Sequence, residues 1–180
     1  GPNRARLLAA NQAAAAFFAA HLASPEARTA RDFLTLRGFD ARACETFGVG
    51  YAPKGWNGLS QHLAAQGFTQ AELLQAGLLS EGQRGSYDRF RGRIVWPIRD
   101  TSGQTVGFGA RKLYEEDTGP KYLNTPETPV YHKSRVLYGL DLAKRDIGEL
   151  LTGPSGSPSS HPQPRHECEV GVPTHAHGLD

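Results

Sequence analysis

Residues 119–139, GPKYLNTPETPVYHKSRVLYG, set Lys121 beside Tyr122 and Lys133 beside Tyr131 and His132, with Asn124 between them. Lysine ammonium groups suit phosphate oxygens as point charges, and a tyrosine ring offers a surface on which a base can stack. Tyr122 is equally compatible with stacking on a base and with packing in a core. The intervening residues, Asn124-Thr125-Pro126-Glu127-Thr128-Pro129, cannot form a regular helix. Each proline fixes its own φ and biases the residue before it toward an extended form. A loop stiffened in this way loses less entropy when its cations engage an anion. No hydrophobic run marks an anchor for it. Asn124 or Thr125 is expected to hydrogen-bond within the loop, and Glu127 to orient a nearby cation. His132 reads as a hydrogen-bonding neighbour of Lys133 rather than a catalyst.

Upstream, YDRFRGRIVWPIRD runs into Thr101-Ser102-Gly103 and then QTVGFGARKL, two strand-like runs joined by a glycine turn, which predicts a β-hairpin. Arg84, Arg89, Arg91, Arg93, Arg99, Arg111, Lys112, Lys121, Lys133 and Arg135 all fall in this part of the chain. Tyr87, Phe90, Ile94 and Trp96 are interspersed among the arginines, and alternation on a strand would send Phe90, Ile94 and Trp96 toward a core and leave Arg89, Arg91 and Arg93 as a stripe spaced at roughly 6–7 Å, near the spacing of backbone phosphates. A solvated polar face is the alternative. Gly107 and Gly109 would admit a ligand backbone. With Arg111, Lys112, Lys121, Tyr122, Asn124 and Lys133, the stripe predicts one positive groove with interleaved aromatics, the general recipe for single-stranded nucleic acid. Asp88 and Asp100 are expected to pair with the arginines beside them, and Glu115, Glu116 and Asp117 to form a solvated turn.

The elements that must position these groups divide the chain in three. Residues 1–77 read as helical. An Ala- and Leu-rich helix covers residues 5–23, and Ser24-Pro25-Glu26 restarts a second helix that turns Ala30, Phe33, Leu34 and Leu36 to a core and stops at Gly38. Asp40 caps a third helix, Asn57 a fourth and Thr69-Gln70-Ala71-Glu72 a fifth, the last as a capping box. VGYAPKGWNGL is a glycine-rich connector. Residues 78–150 form the β-rich basic part. Residues 151–180 are dominated by Pro, Gly, Ser and His, so a disordered tail is expected. His161, His166, Cys168, His175 and His177 match no zinc-ribbon or finger spacing and read as tail rather than as a metal site.

At 180 residues, with 38% hydrophobic content, a net charge of +2 and a mean hydropathy of −0.47, the chain is long enough for a real core. It contains no apolar run near the roughly 20 residues that cross a bilayer, so no membrane partner is expected. Two distant cysteines, Cys44 and Cys168, make no disulfide framework and fit a reducing cytoplasm.

The run SYDRFRGRIVWPIRDTSGQTVGFGARKL, followed by PKYLNTPETPVYHKSRVLYGLDLAK, closely resembles the bacterial replicative DNA primases, the DnaG family. The likeness is to the N-terminal subdomain of the RNA-polymerase core and spans roughly Phe17 to Lys144, with FLTLRGF, FGVGYAPKGWNGL and LLQAGLL in family order. The combination of RFRGRI, GFGAR, PKYLN, PET and HK is specific. The resemblance implies an α+β fold, a helical bundle followed by a small, mostly antiparallel β subdomain with a basic groove. By position it assigns template and nucleotide binding to Arg37, Arg89, Arg91, Arg111, Lys121, Tyr122, Asn124 and Lys133. Arg37 comes from the resemblance only.

The family enzyme synthesises short RNA primers for DNA replication. Its magnesium ions are held by the carboxylates of a Toprim half, its zinc by an N-terminal ribbon, and the replicative helicase by a C-terminal domain. The first Toprim strand would follow Asp146, but the sequence reads IGELLTGPSGSPSSHPQPRHECEVGVPTHAHGLD there. The expectation is therefore a part of a primase that binds a single-stranded DNA template and ribonucleoside triphosphates in the cytoplasm, lacks the catalytic carboxylates and makes no primer alone. A stand-alone single-strand-binding or regulatory module is the alternative.

Overall fold

Asn3 opens the first helix by accepting the Arg6 N–H at 2.9 Å. The computed structural model describes residues 3–134. Arg135, Cys168, the tail histidines and the expected disordered tail lie outside them. Helix α1 spans Arg4–His21. A 3-10 turn, Pro25–Ala27, leads into α2, Arg28–Leu36, and Gly38 at φ 85° ends it. The Asp40 side chain accepts the Ala43 N–H at 2.8 Å and starts α3, Ala41–Phe47. After strand β1, Gly50–Ala52, come α4, Gly58–Ala65, and α5, Gln70–Gln75. The β-rich part holds β2, Leu79–Gly82, β3, Gly85–Asp88, β4, Arg93–Arg99, β5, Thr105–Lys112, and β6, Tyr122–Asn124. Strands β2 and β3 form a separate hairpin, and the main sheet is antiparallel in the order β1-β4-β5-β6.

The register explains the architecture. Tyr51, Ile94, Arg111 and Tyr122 lie in one row across the sheet, and Gly50, Val95, Ala110 and Leu123 in the next. Neighbouring rows face opposite sides. Val95, Ala110 and Phe108 meet Phe17 and Phe18 of α1, with Leu59, Leu63 and Leu73 completing that core. Gly50 lies so close to α1 that an added Cβ would fall 2.4 Å from the Phe18 backbone. On the opposite side Tyr51, Ile94 and Trp96 meet Leu34, Phe39 and Cys44. A sheet buried on both faces carries no solvent-facing polar stripe. Six consecutive residues of β4, Arg93–Ile98, are accordingly buried.

Several expectations are corrected by this arrangement. Arg89 and Arg91 are not strand residues, because β3 ends at Asp88 and β4 begins at Arg93. The connector VGYAPKGWNGL contains β1, too short and too uniformly buried to show a period of two. Leu36 is 73% exposed rather than buried, since the α2 stripe rests on Ala30 and Leu34. Helix α4 is capped not by the Asn57 side chain but by Asp88, which accepts the Leu59 and Ser60 N–H groups at 2.9 and 3.1 Å. Burial pushes the Asp88 carboxyl up, against those two donors. Asp100 closes the β4–β5 turn by accepting from Ser102 and Gln104 rather than pairing with an arginine.

The proline loop is anchored after all. Thr125 Oγ1 accepts the Phe108 N–H at 2.8 Å, and Thr128 Oγ1 accepts those of Val130 and Tyr131. Tyr131 is buried with Ile98 and Val106. Gly107 and Gly109 serve this packing instead of a ligand. A Cβ on Gly109 would lie 2.6 Å from the Trp96 indole, and one on Gly107 3.0 Å from Thr125.

The Thr69–Glu72 capping box forms as the sequence predicts, and Glu72 also receives the Arg6 guanidinium at 2.9 Å, tying α5 to α1. The Arg6 hydrogen bond, with the Thr69 N–H, holds the Glu72 carboxyl at about 2. A carboxyl depressed in the folded state contributes stability above its unfolded value and loses it on protonation. Acid-dependent urea denaturation should therefore show an advantage of the native chain over Glu72→Gln above about pH 4.5 that shrinks as the pH falls and is gone below about 2.

Candidate nucleic-acid interface

The basic residues do not share one groove. They divide between the two sides of the sheet.

On the α2 side, Arg37 follows the last turn of α2, and Arg111 projects from β5 in register with Tyr122 of β6. Both guanidinium groups lie over the Phe33 ring, with Cζ at 4.5 and 4.6 Å from its centre. Burial, and then the charge of Arg111, lower the pKa of Arg37, which stays protonated because guanidinium does not titrate in the physiological range. Arg111 donates to the Lys112 carbonyl, but its Nε is buried without an acceptor, as is the Tyr122 hydroxyl. Among the described residues, no carboxylate forms an ion pair with either arginine. Two like charges drawn together over an aromatic ring, with donors left over, are electrostatically incomplete without an anion. Lys121 is exposed just before the adjoining edge strand, its ammonium 5.9 Å from the Tyr122 ring. The Tyr122 ring itself is half-buried against the core around Tyr51 and Ile94, so it is not free to stack over its whole face.

On the other side, where β4 begins and β5 ends, a cavity of about 460 Å³ is lined by Lys54, Trp56, Arg89, Arg91, Arg93 and Tyr114, and is walled by residues 116–120 and Leu123. The three arginines differ in what they do. Arg89 donates twice to the Asn124 carbonyl, at 3.1 and 2.6 Å, fastening the β3–β4 connection to β6. Burial lowers its pKa. Asn124 thus contributes its main chain here. Arg93 is buried, pairs with Asp117 at 3.1 Å and donates to the Pro120 carbonyl at 2.7 Å. Burial opposes the Asp117 charge, but the Gly119 N–H and Arg93 outweigh it and hold the carboxyl below its usual range. Arg91 spends one N–H on the Asp88 carbonyl and lays its guanidinium 4.1 Å over the Trp56 ring.

The acidic run is a structural turn. Asp117 serves Arg93, Glu116 lies 3.6 Å from Lys54, and Glu115 is exposed. No three His, Cys, Asp or Glu side chains among the described residues could hold a metal ion. Lys133 is exposed, and Glu127 accepts its main-chain N–H at 2.9 Å. His132 faces Glu127 at 3.5 Å rather than Lys133. No single helix among the described residues is long and apolar enough to cross a membrane. Phe33, Lys54, Trp56 and Tyr114 were not legible as site residues, since their side-chain neighbours come from distant parts of the chain.

Residues 17–144 match the family described as DNA primase catalytic core, N-terminal domain. The chain belongs to this family. It is 60% identical over 147 residues to a DNA primase of Streptomyces coelicolor, covering 81% of this chain and 23% of that protein. A DNA primase of Mycolicibacterium smegmatis is 58% identical over 148 residues, covering 82% of this chain and 23% of that protein. The chain thus spans about a quarter of these primases. Among solved structures, the RNA polymerase domain of Mycobacterium tuberculosis primase DnaG in complex with a double-stranded DNA oligomer with a 6-nucleotide overhang superposes with a TM-score of 0.73. It is 53% identical, over 82% of this chain and 46% of that one. A DnaG primase catalytic domain bound to ssDNA gives 0.68 at 39% identity, over 73% and 41%. The α+β architecture of the N-terminal domain of the primase core is thereby established for this chain.

The two classes of arginine predict opposite stability effects. Removing one partner of a buried ion pair strands the other, so Arg93→Ala should destabilise the fold by roughly 3 kcal/mol. Arg111→Met removes one of two like charges and should leave stability unchanged or higher. Urea denaturation of both variants checks this.

Proposed function

We propose that this chain is the template- and nucleotide-binding part of a DNA primase core, working on single-stranded DNA and ribonucleoside triphosphates in the cytoplasm. The observation that carries the reading is the cationic site over Phe33. Arg37 and Arg111 lie together with no carboxylate partner among the described residues, beside buried donors that lack acceptors. A phosphate group supplies the missing charge and acceptors at once, and a guanidinium grips it bidentately. Lys121 and Lys133 add exposed point charges suited to the backbone of a strand. The DNA-bound primase domains that this chain resembles support the same reading.

In this reading the chain positions anions and does not perform phosphoryl transfer by itself. That reaction depends on metal ions that neutralise the triphosphate and activate the attacking hydroxyl. The ligands for those metals belong to a Toprim half, which is the first partner proposed, with the replicative helicase engaged through a further domain. The zinc ribbon of the family is proposed as a separate contributor to template handling.

Fluorescence anisotropy with a labelled single strand tests the reading. The slope of log affinity against log salt should be about −0.7 for each phosphate contact, so Arg37→Ala with Arg111→Ala should both weaken binding and flatten the slope by about 1.4. The loss should be similar on every sequence, because phosphate contacts carry no base information. Binding that ignores salt, or survives the double substitution unchanged, would refute the assignment.

A further inference from the structure

Glu26, in the 3-10 turn that follows Ser24, ties together residues from two distant parts of the chain. Its Oε2 accepts the Tyr51 hydroxyl at 2.7 Å and the Lys54 main-chain N–H at 2.8 Å. Tyr51 is fully buried, and its hydroxyl lies 3.1 Å from that of Tyr114. A phenol has a single proton to give, and the Glu26 carboxylate takes that of Tyr51, so Tyr114 is the donor in the second bond. Burial, reinforced by the bonds to Tyr114 and Glu26, pushes the Tyr51 hydroxyl far above its usual range, and it stays protonated. The chain of contacts closes on itself through Lys54, whose ammonium lies 4.0 Å over the Tyr114 ring. Gly92, at φ 62°, leaves room for both side chains, since an added Cβ would sit 3.2 Å from Lys54 Cγ and 3.4 Å from the Tyr114 ring. One carboxylate therefore fixes both halves of a cation–ring pair, the main chain of Lys54 and the hydroxyl of Tyr114.

We infer that Glu26, Tyr51 and Tyr114 are positioning residues that hold the Lys54 ammonium ready for a phosphate group. A lysine side chain is flexible and gives up conformational freedom when it engages an anion, and one that is already seated gives up less. The carboxylate nearest the ammonium does not account for its placement. Glu116 lies 3.6 Å away, but the two side chains are 51% and 72% exposed, and such a pair contributes little. An ammonium has three donors, so one contact with Glu116 leaves donors for an incoming anion. Lys54 lines the same cavity as Arg89 and Arg91, and a phosphate bound beside it lies in a cationic surrounding. Glu116 lines that cavity as well and opposes an anion there. The relay is built from buried and half-buried groups that touch no ligand themselves and act only through Lys54. The inference rests on the reading that the chain binds phosphate-bearing ligands, and it adds to that reading a cation and the relay that sets it in place.

The full chain is titrated, by fluorescence anisotropy, with a labelled single strand of about 12 nucleotides and separately with a fluorescent ribonucleoside triphosphate. Lys54→Ala should weaken binding and flatten the salt slope on the strand by about 0.7. Tyr114→Phe removes only a hydroxyl and keeps the lysine charge. It should weaken binding roughly two- to tenfold while leaving the salt slope unchanged. Glu26→Ala should do the same, and Glu26→Gln, whose amide oxygen can still accept both bonds, should largely restore the native affinity. Glu116→Gln should strengthen binding. The deciding measurement is the double variant, in which Tyr114→Phe should cost nothing further once Lys54→Ala is present, because its effect passes through that ammonium. Losses confined to the strand assign the phosphate to a backbone, losses confined to the triphosphate assign it to a nucleotide, and losses on both assign a shared site. Urea denaturation of Tyr114→Phe, expected to stay folded, separates lost positioning from lost structure. Additive losses in the double variant, an unchanged salt slope in Lys54→Ala, or native affinity in both Tyr114→Phe and Glu26→Ala overturn the inference and leave the proposed function standing. A native chain that binds neither ligand at low salt defeats both.

Discussion

The four-stranded sheet is buried on both faces, and that constraint decides where the basic groups of its strands and connections lie. Helix α1 covers one side through Phe17 and Phe18, and α2 and α3 cover the other through Leu34, Phe39 and Cys44. A doubly covered sheet leaves cations only at strand ends, in connections and on the edge strand β6. Arg89 and Arg91 are in a connection, Lys121 precedes the edge strand, and Arg111 escapes along the rim of α2. Arg93, at the start of a central strand, is buried and requires Asp117. The sheet thus sorts chemically identical side chains by the partners that each one meets.

That sorting has a thermodynamic signature. Arginines that hold the fold together have acceptors inside the protein, the Asn124 carbonyl for Arg89 and Asp117 with the Pro120 carbonyl for Arg93. The Arg37–Arg111 pair instead has an aromatic ring, a like-charged neighbour and no carboxylate in an ion pair with it among the described residues, while a buried donor without an acceptor occurs in both groups, at Arg111 Nε and at Arg93 Nη1. Functional sites commonly retain such local conflicts, which the rest of the structure must offset. Here the offset comes from the two hydrophobic cores that lock the sheet between its helices.

The proline loop illustrates a second division of labour. Its buried residues, Thr125, Thr128, Val130 and Tyr131, bind the loop to β5 and the core, while Lys121 and Lys133 stay exposed at its ends. Proline stiffening and threonine hydrogen bonds together fix the distance between the two lysines without a regular element. The glycines of β5 take part in the same packing, since Gly107 makes room for Thr125 and Gly109 for Trp96.

Local signals in the sequence determined the helix caps at Asp40 and Thr69, the β4–β5 hairpin and the stop at Gly38, because each depends on residues a few positions apart. The family motifs also determined membership, since their combination is specific in linear order. What the sequence could not determine was which arginine meets which partner. Arg89, Arg91 and Arg93 have the spacing of a stripe, but one turns to Asn124, one to Trp56 and one to Asp117. Asp88 lies beside Arg89 in the chain and instead caps a helix that begins thirty residues earlier. Leu36 looks like a core residue until the helices close around other side chains. The physical reason is common to all of these. Hydrogen bonds, ion pairs and burial are decided by distances in space, and in this domain those distances are set by the tertiary register of β1, β4, β5 and β6, which pairs residues as far apart in sequence as Gly50 and Val95.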